Sequence, residues 1–180
     1  MTLVLSTVST PLGDMVVASH DGGVCAIEFD SGWPRTERRL QRAIGSLTMS
    51  AGDDPCRVGE RVTAYFDGHL GAFDDLPIDP QGTPFDQRVW RELRSIPAGT
   101  TIAYGDLALR VGCLRGYRAV GAANGRNPLA LAVPCHRVVG ASGELRGYAG
   151  GLERKRWLLS HEARFRRFSA GFLPDSGAIR

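Results

Sequence analysis

Apolar and polar positions alternate in three short stretches at the start of the chain, residues 2–9, 14–20 and 23–29. They are separated by Thr10-Pro11-Leu12-Gly13-Asp14 and His20-Asp21-Gly22-Gly23, both rich in turn formers. This pattern predicts three strands in a small antiparallel sheet. From Trp33 to Ile44, Leu40, Ala43 and Ile44 recur among arginines and predict a surface helix. Residues 45–54 read as loop. Residues 56–66 read as a second helix, with Val58, Val62, Tyr65 and Phe66 on one face, and Gly68 to Gly82 as a turn-rich connection.

The pattern then changes. Thr83 is a good helix cap, Pro84 suits the first helical position, and Asp86 lies near the positive end of the dipole. Phe85, Val89, Trp90 and Leu93 follow at helical spacing, and Pro97-Ala98-Gly99 ends the run. Tyr104 opens a short helix to about Val111. A second runs from about Arg115 to Asn124 beyond Gly112, with Ala119, Val120 and Ala123 inward. Two short helices about a glycine turn fit a helix-turn-helix. Asn127-Pro128 breaks the second helix, and the apolar run Leu129 to Val133 predicts a buried strand that stops at Pro134. A last helix is expected over Leu152 to His161, with Trp157, Leu158 and His161 inward and Arg154, Lys155 and Arg156 outward. The expected fold is α+β: a small N-terminal antiparallel sheet and helix domain (1–82), a mainly helical C-terminal domain with a helix-turn-helix (83–165), and a tail (166–180).

Composition narrows the class. The 180 residues are 43% hydrophobic and 23% charged, ordinary values for a globular chain able to bury a core. No apolar run approaches the ~20 residues needed to cross a bilayer. The opening MTLVLSTVSTPLGD has no basic leader, so a cytoplasmic protein is expected. Cys25, Cys56, Cys113 and Cys135 are widely spaced, which favours reduced thiols over a disulfide frame or a zinc site of paired cysteines. The net charge of +3 hides an asymmetry. Residues 1–83 hold 6 Arg against 12 Asp and Glu, whereas residues 84–180 hold 16 Lys and Arg against 7 acidic residues. A basic second half suits a polyanionic partner; a solvated arginine-rich face is the alternative.

One stretch carries the chemistry. In PLALAVPCHRVVG, a thiol, an imidazole and a guanidinium follow an apolar segment at Cys135, His136 and Arg137. A thiol is nucleophilic only as thiolate, and positive groups with an imidazole relay favour that form. A buried structural cysteine is the alternative. Glu162 closes the predicted last helix, where a carboxylate opposes the dipole, so a specific partner is expected and His136 is the candidate. Small residues at Ala119, Gly121, Ala122 and Ala123, with Arg115, Arg118 and Arg126 near by, let the second helix of the pair approach a narrow anionic surface; close helix packing uses the same residues. His20 and His69 lack companions at metal spacing and read as surface residues.

Taken together, RAVGAANGRNP, VPCHRVVG, GYAGGLERKRWLL and the HE at 161–162 resemble the O6-alkylguanine-DNA alkyltransferases, DNA-repair proteins that move an alkyl group from a damaged base onto their own cysteine. The resemblance implies a ribonuclease-H-like first domain and Cys135 as the alkyl acceptor. It makes His136 the base, acting through a bound water, and Glu162 the residue that orients it. Asn127 would be the hinge between recognition helix and active-site segment. Tyr104 would hydrogen-bond the flipped guanine and protonate it as it leaves, and Arg118 would be the finger that fills the gap in the stack. Tyr117, Ala119, Gly121, Ala122, Arg115 and Arg126 would meet DNA, while Tyr148, Val138, Gly150 and Arg146 would line the alkyl pocket. It also implies double-stranded DNA carrying O6-alkylguanine, and possibly O4-alkylthymine, as partner, a monomer, and no cofactor or metal. Tyr117 stands where such proteins have a small residue, which leaves substrate range open. The competing readings are a lesion-recognition protein of the same fold without repair and a cysteine hydrolase. The intact Cys135, His136 and Glu162 disfavour the first, and the adjacency of Cys135 and His136 disfavours the second.

Overall fold

The computed structural model describes residues 1–54 and 56–170, with side chains to Arg166. The three predicted strands form as β1 (Thr2–Val8), β2 (Met15–His20) and β3 (Gly23–Phe29), paired antiparallel in sequence order. Helix α1 (Trp33–Ile44) follows as its periodicity predicts. The stretch expected to be loop holds a fourth strand, β4 (Thr48–Ala51), which pairs parallel with β1 and gives the sheet order β3-β2-β1-β4. Its four residues are mostly exposed and carry no apolar alternation, so only pairing with a strand forty residues earlier defines it. Helix α2 (Val58–Phe66) buries Val58, Val62 and Tyr65.

Helix α3 (Pro84–Arg94) starts as expected. The Asp86 amide donates to Thr83 Oγ1 at 3.1 Å and the Thr83 amide and hydroxyl donate to Asp86 Oδ2, a reciprocal box worth about 1 kcal/mol. The helix-turn-helix comprises α4 (Tyr104–Arg110) and α5 (Tyr117–Gly125), turning at Gly112 with φ 70°. Trp90 is core, and its indole N–H donates to the Ala123 carbonyl at 2.9 Å, fastening α5 to α3. Two-residue strands β5 (Ile102–Ala103) and β6 (Val138–Val139) pair in parallel. Helix α6 (Leu152–Ala170) runs well past the expected end at His161.

Three expectations need correction. Leu129 to Val133 is buried but is a turn, not a strand: Leu131 has φ 68°, and Leu129 alone bridges to Ile27. Arg115 lies in the turn before α5 with φ 61°, and Ala119 faces out, leaving Val120 and Ala123 inward. Lys155 is fully buried whereas Trp157 is 36% exposed, the reverse of their expected faces. Of the predicted tail, residues 166–170 continue α6, and residues 171–180 lie outside the described residues.

The two halves of the chain share one core, in which Met15, Val17, Ile27 and Phe29 of the sheet join Val89, Trp90, Leu107, Val120, Val133 and Leu158. β3 is buried along its whole length because it is covered on one edge by the second half: the Ile27 amide donates to the Pro128 carbonyl (2.9 Å) and the Ala130 amide to the Ile27 carbonyl (2.7 Å). Arg154 of α6 adds a second tie, stacking over the Phe29 ring at 4.1 Å and donating to the Leu12 carbonyl. Thus the first sheet directly splints the turn that precedes Cys135.

Candidate active site

The turn at Leu129–Val133 exists because a side chain takes over the role of a ladder. Asn127 Nδ2 donates to the Val133 carbonyl at 2.7 Å, and Asn127 Oδ1 accepts from the Leu129 amide at 3.0 Å. Buried backbone groups that a strand would have paired are satisfied within the turn. Cys135, whose thiol is free, follows in a single 3-10 turn, Cys135–Arg137, and as a residue is 6% exposed. Burial pushes that thiol up to about 11, against the Asn127 hydrogen bond and the charge of Lys155, so the resting group is S–H.

His136 and Glu162 are both fully buried. His136 Nε2 lies 2.8 Å from Glu162 Oε1; since the carboxylate is acceptor only, Nε2 carries the proton and Nδ1 holds a lone pair. Nδ1 is buried with no hydrogen-bond partner among the described residues, as is the Tyr148 hydroxyl, and the two rings stand edge to face with centroids 6.5 Å apart. Burial depresses the His136 pKa, outweighing the pull of Glu162, and keeps the imidazole neutral. Burial opposes the charge of Glu162, but hydrogen bonds from His136 and Arg137 and the fixed guanidinium charge hold its carboxyl well below the usual range. Arg137 Nη2 donates to Oε1 at 2.8 Å and Nε to Oε2 at 3.0 Å, while the Gly99 amide donates to Oε2 at 2.9 Å. The expected partner of Glu162 is therefore present, for a different reason than expected. Glu162 sits inside α6 rather than at its end, and four donors rather than a dipole mismatch define its environment.

Beside Cys135 opens a cavity of about 760 Å³, lined by Tyr104, Tyr117, Gly121, Arg146, Gly147 and Tyr148 and, from the first half, Arg35. After burial, the nearby Cys135 is the next influence raising the phenol pKa of both Tyr104 and Tyr148, which places the thiol close behind these walls. The Tyr104 hydroxyl donates to the Gly147 carbonyl at 3.1 Å. Gly147 has φ 44°, and a Cβ there would lie 3.3 Å from the Tyr104 oxygen, so glycine lets the loop approach this closely. Of the expected pocket residues, Tyr148 and Arg146 face the cavity; Val138 is fully buried behind it, and Gly150 packs against Tyr148 and Phe29 instead.

Arg118, Tyr117, Ala119 and Ala122 are exposed on α5, with the Arg118 guanidinium 5.9 Å from the centre of the Tyr117 ring, and Arg115 is exposed in the preceding turn. Arg126 is committed elsewhere: its Nε and Nη2 donate to Asp86 Oδ1 at 3.0 and 2.6 Å. Lys155, expected to face out, is instead a buried tie. Its ammonium donates to the Val138 and Arg146 carbonyls, both at 2.6 Å, joining the strand after Cys135 to the pocket loop. Burial lowers its pKa to about 8. Its neighbours Arg154 and Arg156 mask it in sequence; the i+3 spacing to buried Leu158 is the only signal that would have placed it inward.

His20 is also less isolated than its spacing suggested. Its Nε2 is 3.0 Å from Asp79 Oδ2, and the donor atoms of His20, Cys25 and Asp79 lie within 4.8 Å of one another. His20 therefore has two companions that its sequence spacing did not show, though three donors fall one short of a structural zinc set.

A buried free thiol next in the chain to a neutral imidazole paired with an ionised carboxylate, in a module that also carries a helix-turn-helix and a cavity of about 760 Å³, is the arrangement to set against known proteins. The family model described as 6-O-methylguanine DNA methyltransferase, DNA binding domain, matches residues 84–164. The methylated-DNA–protein-cysteine methyltransferase of Salmonella typhimurium is 44% identical over 86% of this chain and 92% of its own length. That of Mycolicibacterium paratuberculosis is 40% identical over 88% and 91%. The crystal structure of Mycobacterium tuberculosis OGT in complex with DNA superposes with a TM-score of 0.76 at 39% identity, covering 92% of this chain and 94% of that one. The chain belongs to the methylated-DNA–protein-cysteine methyltransferase family.

Proposed function

We propose that the protein repairs DNA by direct reversal, moving an alkyl group from O6 of guanine, or O4 of thymine, in duplex DNA onto Cys135, once per molecule. The observation that carries this reading is the buried Cys135 beside neutral His136, whose Nε2 is held by ionised Glu162 while Nδ1 keeps a free lone pair. Such a thiol is shielded from bulk reagents and becomes nucleophilic only when its proton has somewhere to go.

The steps balance without a cofactor. The Cys135 proton passes to His136 Nδ1 through one water as sulfur attacks the saturated alkyl carbon. A C–S bond forms, the C–O bond breaks, and the electron pair leaves with guanine. Tyr104 gives its proton to the leaving base, and the imidazolium restores it. Burial keeps Tyr104 protonated, but it has one proton, now directed at Gly147, so the base must displace that loop carbonyl. No oxyanion hole is required, because the attacked carbon is saturated. The thioether has no leaving path, which makes the reaction stoichiometric.

A base inside a duplex cannot reach the buried Cys135, a residue only 6% exposed, so the nucleotide is extruded, at a cost of a few kcal/mol that is lower for a damaged pair. In this reading Arg118 occupies the gap, and Ala119 and Ala122 allow close approach to a minor groove; the exposure of all three on α5, with Arg118 beside Tyr117, supports it. Arg126, paired with Asp86, serves the fold more than the phosphates. The reading includes a monomer acting on DNA in the cytosol.

The test is intact-mass measurement after mixing the protein with a slight excess of duplex bearing one O6-methylguanine, beside a Cys135→Ser control. One added methyl, mapped to Cys135 and absent from the control, is expected. Tight lesion binding with no mass change would instead leave a recognition protein.

A further inference from the structure

Glu162 has a fourth donor that comes from the other half of the chain. Tyr65, on α2, is 1% exposed, and its hydroxyl donates to Glu162 Oε1 at 2.8 Å, across 97 residues of sequence. Oε1 is the same oxygen that faces His136 Nε2 and receives Arg137 Nη2. The phenol is fixed from both ends: its ring packs tilted on Phe73 at 5.9 Å, and its backbone carbonyl accepts from His161 Nε2 at 2.9 Å, one residue before Glu162. Burial, then the charge of Glu162, raises the Tyr65 pKa well above its ordinary value, so the group is a hydrogen-bond donor throughout the working range.

We propose that Tyr65 is a positioning residue for alkyl transfer: its hydroxyl shares Glu162 Oε1 with His136 and thereby sets the orientation and basicity of the imidazole. The first half of the chain then contributes a group to the catalytic array as well as a splint for the turn. This inference rests on His136 acting as the base.

The physical consequence has a sign. A carboxylate oxygen that accepts three hydrogen bonds spreads its charge over all three. Without the hydroxyl, Oε1 concentrates its charge on His136 and Arg137. The imidazolium form is then favoured, and the base is blocked at a higher pH. The groups facing the imidazole and its carboxylate are Glu162 and Lys155 from α6, Arg137 beside it, the edge-to-face Tyr148 ring, and Tyr65 from α2; Cys135 lies near Tyr148, and His161 faces the Tyr65 ring. Only the hydroxyl is removed by Tyr65→Phe.

The experiment is single-turnover methyl transfer from an O6-methylguanine duplex, followed by intact mass from pH 5 to 8, for the wild type, Tyr65→Phe and Val62→Ala. Val62 is buried on the same helix and reports a loss of packing alone. For Tyr65→Phe, the rate is expected to fall roughly threefold near pH 8 and by up to about tenfold toward pH 5, with the acid limb displaced upward by about half a unit and methyl uptake still reaching one per protein. Val62→Ala is expected to keep the wild-type limb. A Tyr65→Phe deficit equal at every pH, or the same displacement in Val62→Ala, would overturn the inference. A wild-type rate with no acid limb would overturn the His136 base itself, and the role of Tyr65 with it.

Discussion

Two carboxylates, one in each half of the chain, are almost equally buried and behave in opposite ways. Glu28 of β3 is 4% exposed and Glu162 of α6 is 0% exposed. Glu28 receives the Phe29 amide at 3.0 Å, a long bond from Thr36 at 3.2 Å, and an arginine no closer than 3.6 Å. Burial therefore wins and its pKa rises. Glu162 is surrounded by Tyr65, His136, Arg137 and the Gly99 amide, and its pKa falls despite burial. Burial does not decide ionisation by itself; the number and charge of donors decide it. The half that holds Cys135 has the fully satisfied carboxylate.

The sharpest way to break the contrast is Glu162→Gln. It strands the Arg137 guanidinium and frees the His136 ring, so stability should drop by about 3–5 kcal/mol in urea denaturation. Methyl transfer should slow by about a hundredfold or more in single-turnover assays. Next comes Lys155→Met, which releases the Val138 and Arg146 carbonyls; transfer about tenfold slower is expected. In the wild type the rate should decline as pH rises through about 8, where the ammonium is lost, and that alkaline limb should be missing from the variant. A pH series of methyl uptake checks both.

Acid separates the two carboxylates by sign. Glu162 has a folded pKa below its ordinary 4.5, so its stabilisation is complete above that value and is lost as pH falls below it. Glu28 has a folded pKa above 4.5, so its ionised form costs stability, and that cost is relieved as pH falls through the raised value. Urea midpoints compared at pH 7 and below 4.5 should therefore fall less in Glu162→Gln than in the wild type. The smallest effect is expected for Glu28→Gln: stability at pH 7 within about 1 kcal/mol of wild type, and methyl transfer no slower. A large loss in that variant would mean that Glu28 is tied into the site.

Signals carried by neighbouring residues were legible in the sequence. Thr83, Pro84 and Asp86 announce the start of α3, and alternation with turn residues announces β1 to β3. His136 and Glu162, paired in the sequence reading, lie at hydrogen-bond distance, and Cys135 is the neighbour of His136 in the chain. What was hidden depends on contacts far along the chain. β4 is defined by β1, not by its own four residues. The run Leu129–Val133 signals burial correctly, but its conformation is set by the Asn127 side chain and the β3 edge. Lys155 lies between two arginines and only the α6 docking angle separates it from them. Likewise, Tyr65 reads as one more apolar helix position until the fold delivers its hydroxyl to Glu162.

The hydrogen bonds between Ile27 and the Pro128–Ala130 backbone have a consequence for the order of assembly. They join positions about a hundred residues apart, and Glu162 lies later still, so the reactive centre is built almost wholly from long-range contacts. Such contacts form late, after local helices and hairpins. A chain emerging from the ribosome thus carries Cys135 as an ordinary thiol, without its imidazole partner organised, until nearly all of α6 has been made. If Cys135 is the acceptor proposed above, its pairing with an organised imidazole waits on completion of the fold, so a molecule that reacts once is completed before it meets DNA.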